Sequence, residues 1–228
     1  MYTGPHIVEN GLVLAIDAGS ARSYPGSGTA WNDLSSTASV YTLNNSPTFD
    51  SGNGGSFDFD GTDEFAATSS APIAAGATAY SFEAVFKADT ASATQVIWEQ
   101  GTTAQTTGKR VCMILLSSGT GGFNGQNADF QTSVNYSVNV WYNWTITVDT
   151  TLSSNKIKIY VNGVLSAQGN PVGSGTLNAG ADAARVGNKL SNSTENFNGK
   201  IALVRAYNKV LTAAEVAQNY NAQKSRFL

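Results

Sequence analysis

A single cysteine, Cys112, and a single histidine, His6, occur in 228 residues, and these two scarcities remove whole classes of chemistry. One cysteine permits no internal disulfide. Cys112 sits in the apolar run Val111-Cys-Met-Ile-Leu-Leu116, where it reads as a small buried hydrophobe rather than a nucleophile. The one imidazole, His6, lies in what reads as a lead-in arm, so a Ser-His-Asp or Cys-His arrangement has no base placed to serve it. Charge is scarce too. Charged residues make up 13% of the chain, about half the usual share of a soluble protein. The basic residues gather no more densely than Lys109-Arg110 and Lys224 with Arg226, and the net charge is −3. No phosphate-tracking surface follows from that, so nucleic acid is not an expected partner. No apolar run approaches membrane-spanning length, so no membrane partner is expected either. Met1-Tyr-Thr-Gly-Pro-His6 lacks the basic region and apolar stretch of a signal peptide.

What is present is a 41% hydrophobic fraction and an abundance of Gly, Ser, Thr and Asn. The first suffices for a sizeable core, and the second favours short strands joined by many turns. Chain length suits one large β domain, set at residues 11–228 behind an N-terminal arm of residues 1–10.

Period-two patterning runs through the sequence. Phe57 and Phe59 alternate with Asp58 and Asp60. Tyr80, Phe82, Ala84 and Phe86 alternate with Ser81, Glu83, Val85 and Lys87, the pattern of a half-buried strand. Tyr142, Trp144, Ile146 and Val148 oppose Asn143, Thr145, Thr147 and Asp149, and Ile157, Ile159 and Val161 repeat the register. Asn162-Gly163 then marks a two-residue hairpin turn. Near the end, Ile201, Leu203, Arg205 and Tyr207 are predicted to share one face of an interior strand, with Ala202, Val204 and Ala206 on the other. Thr212 with Glu215 forms a capping box, and Leu211 with Val216 a hydrophobic staple, opening a helix to about Ala222. Many closely spaced strands, one terminal helix and no alternating βα units predict an all-β, two-sheet antiparallel sandwich.

Four segments in this order resemble a LamG-like, concanavalin A-type jelly roll: Phe59-Asp-Gly-Thr-Asp-Glu-Phe65, Tyr80 to Phe86, Trp141 to Asp149 with Ile159-Tyr-Val-Asn-Gly163, and Phe197-Asn-Gly199 through the helix. Gly11 to Asp17, Ser23-Tyr-Pro-Gly-Ser-Gly-Thr29 and Trp31-Asn-Asp-Leu34 are similar to LamG-type proteins of tailed bacteriophages. That resemblance implies a structural protein of the virion, as a capsid decoration or a tail fibre component. Its partners would be other virion proteins and host glycans, and it would be present in many copies. The fold starts almost at Met1 and finishes near Leu228, which favours decoration over an embedded fibre module.

Some relatives of this fold are glucanases, whose paired carboxylates follow a Glu-x-Asp-x-x-Glu spacing that aims acid and nucleophile at one sugar. Glu9, Glu64, Glu83, Glu99, Glu195 and Glu215 all lack an aspartate two residues on, so no enzymatic activity is expected and a glycoside hydrolase is a distant alternative. The nearer alternative is a carbohydrate-binding module. Exposed rings stack on sugars, and Tyr24, Trp31, Trp98 and Trp141 are the candidates, each with a packing role as the competing reading. For a metal, the acidic turn at Asp58, Asp60, Asp63 and Glu64 offers Asp60 and Asp63 as calcium ligands. Related jelly rolls hold calcium near this turn, with an acidic residue where this chain has Ala202. The competing reading makes Asp60 and Asp63 organisers of the turn.

Overall fold

Alternating apolar residues can be buried only where strands pair and two sheets face each other, and the chain does this in a computed structural model that describes residues 6–191 and 194–227. Met1 to Pro5 of the expected arm lie outside the described residues. The strands are β1 (Leu12–Asp17), β2 (Ala30–Asn32), β3 (Val40–Asn44), β4 (Thr48–Asp50), β5 (Ser56–Asp60), β6 (Phe65–Thr68), β7 (Ala79–Ala88) and β8 (Gln95–Gly101). They continue as β9 (Val111–Leu115), β10 (Thr120–Asn124), β11 (Phe130–Asn135), β12 (Trp141–Asp149), β13 (Ile157–Val161), β14 (Val164–Gly169), β15 (Ala183–Val186) and β16 (Asn198–Tyr207), followed by helix α1 (Ala213–Gln223). The first sheet runs β14-β13-β12-β7-β16-β5-β4, with β1 also paired to β16; the second runs β11-β10-β9-β8-β15-β6-β3-β2. Pairing is antiparallel throughout, as at β7–β12 and β8–β15. The expected two-sheet antiparallel sandwich with one C-terminal α-helix is the observed architecture.

The space between the sheets is filled by large rings, among them Trp31, Trp98, Trp144, Phe82 and Phe86. Trp144 meets Phe86 edge to face at 5.4 Å, and Trp98 lies 5.2 Å from Phe82, separations at which aromatic pairs add to simple burial. At the β13–β14 hairpin, Asn162 (φ 50°) and Gly163 (φ 80°) both take positive φ, as a type I′ turn requires.

Two expectations needed correction. Strand β7 is not half-buried: Ser81, Glu83 and Val85 are as buried as the core face. The cause is the C-terminal segment over the outer face of the first sheet: Lys209 and Leu211 engage Ser81, α1 covers Glu83, and Phe227 packs with Val85. Asn219 Nδ2 on α1 donates to Tyr207 Oη (2.9 Å) and to Glu83 Oε1 (3.3 Å). The face assignment along β16 also fails midway. A bulge between Ile201 and Leu203 sends Ile201 inward with Val204 and Ala206, while Ala202 and Leu203 pack outward with Val85. An extra residue in one strand resets the alternation beyond it.

Helix α1 is capped as the sequence predicts. Thr212 Oγ1 accepts from Glu215 N (3.2 Å) and Glu215 Oε2 accepts from Thr212 N (2.9 Å). Leu211 and Val216 join one apolar cluster with Tyr207 and Val8. Thr212→Ala should therefore lower stability by about 1 kcal/mol. An unchanged denaturation midpoint at unchanged slope would show that the cap contributes nothing.

Candidate functional site

The outer face of the second sheet carries a row of chemistry-bearing side chains that the register brings together. Thr42 pairs with Ala67, Ala67 with Arg185, Arg185 with Glu99, Glu99 with Cys112 and Cys112 with Asn124. The row exists because a bulge between Val96 and Trp98 turns both Ile97 and Trp98 into the core and Glu99 out.

One half of the row is an ionic cluster. Arg110 Nη2 donates to Glu99 Oε2 (2.6 Å) and to Glu195 Oε2 (2.8 Å), and Lys189 Nζ donates to Glu195 Oε1 (2.5 Å). Arg110 Nη1 reaches Asn124 Oδ1 at 3.1 Å, and Gln105 Nε2 donates to Glu99 Oε1 at 2.9 Å. Glu99 is fully buried and Arg110 nearly so. Burial pushes the Glu195 carboxyl up, but Arg110 and Lys189 outweigh it, so its pKa lies below the ordinary value of about 4.5. Such a depressed carboxyl adds stability that is present above pH 4.5 and lost as pH falls through the native value. Glu195→Gln should flatten the acid limb of the stability–pH curve below about pH 4.5, read from urea midpoints between pH 3 and 7. Parallel curves for the two proteins would rule out that role. Cys112 lies beside this cluster with Val96 and Ile114. Burial raises its thiol pKa, which leaves it the inert hydrophobe that the sequence predicts.

The other half opens into a groove of about 470 Å³, lined by Thr42, Asn44, Phe65, Ala67, Thr68, Ser69, Thr103, Ala183, Ala184, Arg185 and Leu190. That volume falls within the range of small-molecule sites. The Arg185 guanidinium lies over the Phe65 ring, 4.4 Å from its centroid. Arg185 Nη1 donates to Lys189 O (2.9 Å) and Asn188 Oδ1 (3.5 Å). A second groove, of about 510 Å³, runs along β1 past Glu9, Asp17, Arg22 and Arg205. Its central charges are already engaged: Asp17 holds Arg226 (2.7 and 2.9 Å) and Arg205 holds Glu83 (2.7 Å).

The aromatic candidates from the sequence are not brought together. Trp31 and Trp98 are fully buried and Tyr24 is 7% exposed, so a stacking role for these three is corrected to packing. Trp31 and Tyr24 close on Phe57 at 4.8 and 4.7 Å, and the Trp98 indole N–H is directed at Tyr41 Oη (3.4 Å). Trp141 is half-buried against Phe227, 5.0 Å away. The crevice beside it holds about 10 Å³, room for one water and no sugar ring. Neither Phe65 nor Arg185 stands out as a site residue in the sequence. Phe65 was visible as the end of a turn segment, but its partner lies 120 positions further on, in a strand of only four residues.

The acidic turn is organised by local hydrogen bonds. Asp60 Oδ1 accepts from Thr62 N (2.7 Å), Glu64 Oε2 accepts from Asp60 N (2.8 Å), and the Asp63 carbonyl accepts from Asn45 Nδ2 (2.9 Å). For Asp60 this is the turn-organising role; Asp63 takes part through its backbone carbonyl. Glu64 is pushed above its ordinary pKa, chiefly by burial, with smaller pushes from Asp60, Asp58 and Asp63. Among the described residues no three His, Cys, Asp or Glu side chains converge as metal ligands. Ala202 lies in the apolar cluster of Val85 and Leu203 under Phe227. The residues present do not fit the calcium that the resemblance implies.

Comparison with known proteins places this geometry in a family. The family model of the concanavalin A-like lectin/glucanases superfamily matches residues 59–217. Trypanosoma rangeli sialidase, in complex with the inhibitor DANA, superposes with a TM-score of 0.69 at 14% identity, over 97% of this chain and 34% of the sialidase. The binding domain of botulinum neurotoxin serotype D gives 0.65 at 14% identity, over 95% of this chain and 53% of that one. The botulinum neurotoxin DC binding domain in complex with SialylT gives 0.68 at 11% identity, over 95% and 52%. The chain thus spans a third to a half of these structures, and at such identities the likeness is one of fold. No curated protein matches the sequence.

Proposed function

The chain belongs to the concanavalin A-like lectin/glucanase superfamily, and on that footing we propose that it is a non-catalytic recognition domain that takes a saccharide into the groove beside Arg185. The carrying observation is the lining of that groove. Hydroxyl and amide groups of Thr42, Asn44, Thr68, Ser69 and Thr103 surround one aromatic ring, Phe65, and one guanidinium. Sugars need such a mixture: hydroxyls exchange hydrogen bonds with neutral polar side chains, while C–H faces rest on apolar surface. Two of the similar structures are named as a sialidase with an inhibitor and a binding domain with SialylT, which is compatible with glycan binding by this fold. Hydrolysis has little support here, because Glu99 and Glu195, the acids nearest the groove, are both clamped by Arg110. A glycan array probed with the purified protein tests the reading. Binding to at least one glycan class, lost in Phe65→Ala, is expected; binding to none overturns it, and release of reducing ends from polysaccharide would overturn the non-catalytic part.

A second reading concerns where the domain works. The segments similar to phage proteins form one hydrogen-bonded unit. Ser23 Oγ donates to Asn32 O (2.5 Å), Asp17 N donates to Ser23 Oγ (3.0 Å), and Asp33 Oδ1 accepts from Ala15 N (2.8 Å). The resemblance of these segments to phage proteins is what supports display on the outside of a phage particle, in many copies beside other virion proteins. Mass spectrometry should find the chain in banded particles. Its presence only in the soluble lysate would defeat that reading.

A further inference from the structure

The glycan-binding reading says nothing of which saccharide, and the hydrogen bonding of Arg185 narrows it. We propose that the groove accepts a saccharide bearing a carboxylate, and that Arg185 is the residue that reads this charge; the proposal rests on the glycan-binding reading above. A guanidinium has five N–H donors. The two on Nη1 are used by Lys189 O and Asn188 Oδ1. Nε and Nη2 make no hydrogen bond with any described residue, and together they form the edge that meets a carboxylate with two parallel bonds. The Phe65 ring under the guanidinium, 4.4 Å away, and the bonds on Nη1 hold that edge in place before a ligand arrives.

The charge of Arg185 is also unbalanced. Glu99, its partner across the strand pair, is engaged by Arg110 and Gln105, and Glu195 by Arg110 and Lys189. Among the described residues no carboxylate forms an ion pair with Arg185. Burial accordingly lowers its pKa, with Glu99 opposing only in part. A cation that is half-buried, oriented and without a counter-charge in a groove of neutral hydroxyls and amides is complementary to a sugar whose only charge is one carboxylate.

The test compares acidic probes with their neutral counterparts: trigalacturonate with its methyl ester, and sialyllactose with lactose, titrated at constant ionic strength. The expected result is that at least one acidic probe binds roughly ten- to a hundred-fold more tightly than its neutral counterpart, the worth of a charge-assisted bidentate pair. In Arg185→Gln the ratio of acidic to neutral affinity should fall to about one, and in Arg185→Lys part of the preference should be kept. Melting curves establish that each variant is folded. Equal binding of acid and neutral forms, or a preference that survives in Arg185→Gln, would overturn the proposal and leave glycan binding standing. Failure of every probe to bind would overturn the carboxylate proposal, while the glycan-binding reading stands or falls on the array.

Discussion

Arg205→Met should destabilise the protein by about 3–5 kcal/mol, the usual consequence of removing one partner from a buried ion pair. Glu83 is fully buried and Arg205 is 6% exposed, with Nη1 2.7 Å from Oε1. Methionine keeps much of the arginine volume, so cavity formation is a small part of the loss. What remains is a carboxylate under α1 with only Asn219 Nδ2 and Thr145 Oγ1 to solvate it, both at 3.3 Å. Gln223 Oε1, now accepting from Arg205 Nη1 at 2.8 Å, would lose its donor as well. Glu83→Gln combined with Arg205→Met should recover a large part of the loss, because the amide removes the stranded charge. Urea denaturation of the two variants decides the matter. A loss below about 1 kcal/mol in the single variant would mean that solvent reaches Glu83 despite the helix.

That pair illustrates what was legible in the sequence and what was not. The capping box at Thr212, the Asn162-Gly163 turn and the alternation of β7 and β12 are local signals, and each gave the right element because only neighbouring residues are needed to satisfy it. Arg205 lies among Leu203 and Tyr207 on a strand with two apolar faces, but nothing local points to its partner Glu83, 122 positions away. Alternation assigns residues to faces without saying which face is covered. The polar parity of β7 reads as solvent-facing until a helix, here one whose buried positions Val216, Asn219 and Gln223 are mostly polar, is laid over it. Bulges in β8 and β16 then shift individual residues from one face to the other. The candidate site was hidden by the same causes. Phe65, Arg185 and Glu99 come from three strands joined only by pairing, whereas the conspicuous tryptophans were conspicuous because a sandwich core needs large rings.

The ionic cluster beside the groove should respond to mutation in a pH-dependent way. Arg110→Met is expected to cost about 3–5 kcal/mol near neutral pH. One guanidinium nitrogen there holds two carboxylates, at 2.6 and 2.8 Å. Without it, among the described residues, Glu99 keeps the Gln105 amide and Glu195 keeps Lys189. In the parent protein Arg110 is the leading electrostatic cause that sets Glu195 below its ordinary value of about 4.5, against burial. A group depressed in the folded state stabilises above its unfolded pKa and loses that contribution as pH falls. The variant has less of this contribution to lose, so the gap between parent and variant should narrow as pH drops below about 4.5. Urea midpoints at pH 7, 5 and 3.5 measure it. A gap that stays constant across the three would mean that Arg110 acts through packing of its stem, and a gap that widens toward acid would contradict the ion-pair account outright.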